Sequence, residues 1–181
     1  MNVNTKKITV LAACSALAYA AAAVGRVPLV LFLKYDPKDI ILTISGFILG
    51  PSASFAAALA ASLLETLTVS ETGVLGLLMN VISSCSFACT ASSLYRKRKT
   101  LPGAAAGLLC GWMCMVLVML LWNYLIAPVY MDCSRQAAAE LLLPAFLPFN
   151  LIKGGLNAAG TLLLYRPAAA ALRRSHLLDE P

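Results

Sequence analysis

The sequence is poor in the groups that soluble chemistry needs. Among 181 residues there is one histidine, His176, and eight acidic side chains, and charged residues make up only 12% of the chain. A soluble domain of this size keeps about a quarter of its residues charged. No Ser/His/Asp grouping, phosphate-binding loop or ATP-binding motif occurs, so an enzyme is not expected. The six cysteines include no CxxC pair and no extracellular disulfide framework. Cys85/Cys89 and Cys110/Cys114 are i, i+4 pairs inside apolar stretches, and they would form a metal site only if their helices were neighbours. With no carboxylate or histidine beside them they read as small buried hydrophobes, and no metal is expected. Cys133 stands alone in a loop.

What the chain has in quantity is apolar sequence. Hydrophobic residues make up 60% of it, and the mean hydropathy is +0.82. These values indicate one compact integral membrane domain over residues 1–181, of the all-α class. The net charge of +6 invites a nucleic-acid reading, but the basic residues cluster beside apolar segments and read better as topology signals.

Six apolar segments suggest a bundle of six transmembrane helices. The first, Ile8 to Gly25, is rich in alanine. Leu11-Ala-Ala-Cys14 matches a lipoprotein cleavage box, but the apolar run continues past it and the preceding core is too short, so a retained helix is expected. Ala12/Ala16/Ala20 and Ala18/Ala22 form small-xxx-small faces. Such faces allow close helix approach, either within the chain or to another subunit. Between the first two helices, Arg26 to Asp39 places Val27, Leu29, Leu31 and Leu33 at period two and then turns through Lys34-Tyr-Asp-Pro-Lys-Asp39. This is a structured outer loop, read as a hydrophobic cap over a pocket or as an interfacial loop.

Ile40 to Leu49 is a short second helix with Asp39 as its cap, closed by Gly50-Pro51. The third runs from Ser52 to about Val69, with Glu65 expected at the water interface, and Ser70-Glu-Thr-Gly73 is a loop. Val74 to Tyr95 is the fourth, Pro102 to about Ile126 the fifth, and Leu141 to Tyr165 the sixth. The stretch from Ala127 to Glu140 is expected to be loop. With both termini cytoplasmic, that side carries Lys6, Lys7, Arg96, Lys97, Arg98, Lys99, Arg166, Arg173 and Arg174. The outer side carries Arg26, Lys34, Lys38 and Arg135, so the bias of basic residues favours this orientation.

The candidate site lies in the sixth segment. A lysine at bilayer depth is expensive and usually faces a protein interior or cavity, although one near a helix end can snorkel. Asn150, Lys153 and Asn157 stand at i, i+3, i+7 and form one polar stripe. Gly154 and Gly155 leave room beside it. With Asn80 and Asn123 in other apolar helices, the set offers amide donors and acceptors plus one cation, suited to a flat ring with an amide or imide edge. Tyr35 and Asp36 in the first loop add hydrogen-bonding groups for a polar ligand.

Pro148-Phe-Asn-Leu-Ile-Lys-Gly154, together with Lys34-Tyr-Asp-Pro-Lys-Asp-Ile40, Gly50-Pro51, Ser70-Glu-Thr-Gly73 and Asn123-Tyr124, resembles the riboflavin-specific substrate-binding subunits (S components) of energy-coupling-factor (ECF) vitamin transporters. The likeness runs along nearly the whole chain in the same order. It implies a six-helix bundle with an outward-facing vitamin pocket under the first loop and no ATPase activity of its own. It implies docking, through alanine faces of the first helix, onto a transmembrane coupling subunit driven by two cytoplasmic ATPases. Carried onto this chain, it implies that Asn150 and Lys153 contact the isoalloxazine ring. Asn123 and Asn80 would line the pocket, Asp36 would reach the ribityl hydroxyls, and Ala12, Ala16 and Ala20, or Ala18 and Ala22, would form the docking face. Riboflavin is then cargo, and no cofactor is implied. The other readings are a self-sufficient secondary transporter, an S component for another vitamin, and an assembly subunit without ligand. Secondary transporters commonly show internal repeats and intramembrane carboxylates, and here there is no clear repeat and Glu65 is the lone candidate.

Overall fold

The computed structural model describes residues 3–30, 33–68 and 73–174. Leu31, Ser70-Glu-Thr72 and His176, and the side chains of Arg173 and Arg174, lie outside the described residues. The chain runs α1 (Val3–Val24), β1 (Val27–Val30), β2 (Leu33–Tyr35), α2 (Lys38–Leu49), α3 (Pro51–Thr68), α4 (Gly73–Lys97), α5 (Leu101–Tyr130), α6 (Arg135–Glu140), a π-helical turn (Leu142–Phe146) and α7 (Leu147–Arg174).

Local sequence explains most of the boundaries. Gly50 has φ 104°, a left-handed conformation that costs glycine little, and Pro51 then starts α3 with its φ already preset. Thr100 caps α5 by accepting from the Gly103 amide at 3.2 Å, and Ser134 caps α6 in the same way through Ala137 at 3.2 Å. The period-two segment after α1 is an antiparallel hairpin, with Val27 opposite Tyr35, Pro28 opposite Lys34 and Val30 opposite Leu33. Two expectations need correction. Asp39 does not cap α2: the helix begins at Lys38, and Asp39 lies within its first turn with the side chain buried. The stretch from Ala127 to Glu140 is not all loop either, because α5 continues through Pro128 to Tyr130 and α6 follows.

Among the described residues, four stretches are long and apolar enough to cross a bilayer: Thr5–Val24, Gly73–Lys97, Leu101–Tyr130 and Arg135–Ala168. On α5 the residues Leu109, Met113, Leu117 and Leu121 repeat every fourth position and all are exposed, an apolar stripe that water would not tolerate and lipid would. Helix α2, 12 residues long, rises only about 18 Å. It is nonetheless central. It packs on α1, α3, α4 and α7, and eight of its residues are buried.

The core has three parts. Phe47, Phe87, Tyr95, Leu108 and Met115 join α2, α4 and α5. The close α4–α5 contact depends on Gly107 and Gly111, where an added Cβ would meet the Ala91 carbonyl at 2.7 Å and the Phe87 carbonyl at 2.5 Å. Ala18, Leu42, Ala57, Ala58, Ala61 and Ala88 pack α1–α4 together. Ala127, Ala138 and Phe146 form a smaller cluster under the α5–α6 corner, and Leu33 of the hairpin packs against it.

Candidate functional site

Buried charge converges where the hairpin runs into α2. The hairpin delivers Tyr35 and Asp36, and the first turn of α2 adds Lys38 and Asp39. The end of α3 contributes Glu65, α4 contributes Asn80 and Ser84, and α7 contributes Lys153 and Asn157. Lys38 Nζ donates to Glu65 Oε1 at 2.7 Å and to Asn80 Oδ1 at 3.0 Å, and it lies 4.0 Å from Asp36 Oδ2. Arg26, at the exit of α1, donates to Glu65 Oε2 at 2.9 Å. Lys153 Nζ lies 3.4 Å from Asp39 Oδ2. Ser84 Oγ donates to Asp39 Oδ1 at 2.5 Å, Asn157 Nδ2 donates to Asp39 Oδ2 at 3.1 Å, and Tyr35 donates its hydroxyl to Asn157 Oδ1 at 3.1 Å.

Taking a charge out of water is costly unless it is paired and hydrogen-bonded. The site meets that condition with three cations, Arg26, Lys38 and Lys153, interleaved with three anions, Asp36, Asp39 and Glu65. One buried acceptor, Asp36 Oδ1, is left without a hydrogen-bond partner. Burial pushes the Asp36 carboxyl up, but Lys38, Lys153 and Arg26 outweigh it and hold the group below the usual carboxylate range. The Tyr35 phenol is pushed up by burial and by the neighbouring Asp39 and Asp36 carboxylates, so it stays a donor.

Tyr35, Asp36, Asn80 and Lys153, singled out in the sequence, therefore fall in two adjoining sets, Tyr35 and Lys153 with Asp39 and Asn157, and Asp36 and Asn80 with Lys38 and Glu65. Asn150 is buried one turn before Lys153 on α7 and donates to the Phe146 carbonyl at 2.7 Å. Asn123 is buried elsewhere on α5. It donates to the Met119 carbonyl at 2.7 Å and accepts from Tyr130 at 2.8 Å.

Several expectations change. Glu65 is not at the water interface: it is fully buried between Lys38 and Arg26. Lys38, read as an outer topology charge, is fully buried too. The room left by Gly154 and Gly155 is taken by the indole of Trp112, against which a Cβ at Gly154 would overlap. Trp112 Nε1 is itself buried without a partner. Asp39, Lys38 and Asn157 carry more of the network than the sequence suggested. The signal that marks them is three charges within four residues, Asp36 to Asp39, running into a helix whose next residues are apolar.

On α1 the two alanine faces separate. Ala12, Ala16 and Ala20 are exposed, whereas Ala18 and Ala22 are fully buried in the chain's own packing. Among the described residues no group of three or more His, Cys, Asp or Glu side chains is placed to hold a metal.

Residues 6–165 match the family described as ECF transporter, substrate-specific component. The chain belongs to this family. As an S component it is a membrane protein and a transporter subunit rather than an enzyme. It is 27% identical over 150 residues to the riboflavin transporter RibU of Staphylococcus aureus (strain TCH60), covering 79% of this chain and 78% of that protein. It is 32% identical over 132 residues to the riboflavin transporter FmnP of Bacillus subtilis (strain 168), covering 68% and 70%. A solved S component of a bacterial ECF transporter superposes on it with a TM-score of 0.79 at 26% identity, over 93% of this chain and 98% of the other.

Proposed function

We propose that this S component binds riboflavin within the bacterial cell membrane. It mediates uptake only when docked to a transmembrane coupling subunit driven by two cytoplasmic ATPases. One observation carries the reading above the others. Lys153 lies deep in α7, 5% exposed, with Asn150 and Asn157 buried on the same face, in a chain similar to two riboflavin transporters over most of its length.

In this reading α1–α5 and α7 are six membrane helices with both termini cytoplasmic, and the hairpin is the outer cover of the pocket. Lys153 and Asn150 hold the polar edge of the isoalloxazine ring, with Asn80 and Asn123 as further polar wall. Asp36, whose Oδ1 is buried without a partner, takes a ribityl hydroxyl, and Tyr35 contributes from the same side. Ala12, Ala16 and Ala20 form the docking face. Ala18 and Ala22, being enclosed by the chain's own helices, do not.

Mass spectrometry of ligand released from the purified subunit tests the reading. Riboflavin is the expected species; a different vitamin would reassign the substrate. Reconstitution adds the second test, in which uptake requires the coupling and ATPase subunits. Uptake by this chain alone, driven by an ion gradient, would replace the reading with a secondary transporter.

A further inference from the structure

Asp39 is fully buried, and both of its oxygens are occupied. Oδ1 accepts from Ser84, and Oδ2 accepts from Asn157 and faces Lys153. An ionised carboxylate has no hydrogen to give, so each group turned toward it must be a donor. That requirement propagates outward. Asn157 has to present its NH2 to Asp39, which turns its carbonyl to Tyr35, and Tyr35 has to donate its O–H across 3.1 Å. The phenol oxygen keeps its lone pairs as acceptors on its other side. Lys153 directs one N–H toward Asp39 and retains two more.

We propose that Asp39 is a positioning residue that fixes the donor–acceptor polarity of the substrate site, so that Lys153 presents N–H donors and Tyr35 presents an acceptor. This rests on the riboflavin reading and narrows it. The ligand edge that fits places a carbonyl or bare ring nitrogen toward Lys153 and an N–H or hydroxyl toward Tyr35. Asp39 itself stays off the ligand, being fully buried among Ser84, Asn157 and Lys153. Ser84, on α4, holds the carboxylate through Oδ1.

The test is a double-mutant comparison of Asp39→Asn, Lys153→Met and the pair, read in two ways. In ligand-free protein, the melting-temperature loss of the double variant is expected to fall well short of the sum of the single losses, because each single change strands the other's charge. In riboflavin titration, Asp39→Asn is expected to weaken binding at least tenfold. It is expected to add little once Lys153→Met is present. Additive melting losses together with multiplying affinity losses would overturn the proposal. If Asp39→Asn fails to fold, Ser84→Ala is the milder probe. Weakening of riboflavin binding about threefold or more with the fold retained supports the proposal, and unchanged affinity overturns it. Should the wild-type chain bind no flavin, the substrate reading falls, and the ligand-free melting comparison alone decides where Asp39 acts.

Discussion

Lys38 and Glu65 meet at 2.7 Å with neither side chain exposed to solvent, joining the first turn of α2 to the last turns of α3. Removing one partner of such a pair leaves the other buried charge less compensated, at a cost of up to about 3–5 kcal/mol. Replacing both with apolar groups of similar volume is close to neutral in other systems. Lys38→Met and Glu65→Leu are each expected to lower the melting temperature sharply in detergent. The double variant should recover part of the loss, held back by Arg26, which Glu65 also pairs. Equal losses in the single and double variants would show that the pair is not the relevant unit.

Lys153→Ala and Asn150→Ala are expected to weaken riboflavin binding by about 1–3 kcal/mol each, through a ligand group left without its partner. The loss should appear as an increased Kd in a fluorescence titration. An unchanged Kd for either variant would remove that residue from the site.

Gly154 lies against the Trp112 indole so closely that any Cβ there overlaps the ring. Gly154→Val is expected to cost about 1–3 kcal/mol by overpacking. It should also disturb ligand binding, because the displaced turn carries Lys153. Combining it with Trp112→Ala should restore stability. If stability stays low in the combined variant, the α5–α7 contact is not where the strain arises.

The two alanine faces of α1 should respond differently to enlargement. Ala16→Leu, on the exposed face, is expected to leave the melting temperature and riboflavin affinity unchanged while abolishing uptake by the assembled transporter. Ala18→Leu, on the face that is 0% exposed, should destabilise the isolated subunit by about 1–3 kcal/mol. Identical behaviour of the two variants would contradict the assignment of the faces.

Much of the fold was legible because it rests on local rules. Period-two placement marked a structured segment after α1 without showing that it pairs as a hairpin, Gly50-Pro51 marked the break between α2 and α3, and helical spacing put Asn150, Lys153 and Asn157 on one buried face. The rest depends on partners far apart in the chain. Asp39 after Pro37 has every local feature of a cap. Its burial follows from Ser84 and Asn157 arriving from α4 and α7. Glu65 near a helix end looks interfacial until Lys38 and Arg26 are placed around it. Gly154 and Gly155 were read as room beside the polar stripe, and nothing local could say that the Trp112 indole fills it. The helical turns after Pro128 were hidden by that proline, which interrupts the backbone pattern without ending the helix.

The most direct measurement is titration of the purified, delipidated subunit against riboflavin, following quenching of the flavin's fluorescence. The account predicts stoichiometric quenching with a sub-micromolar Kd, weakened in Lys153→Ala. Undiminished fluorescence with excess folded protein would contradict it.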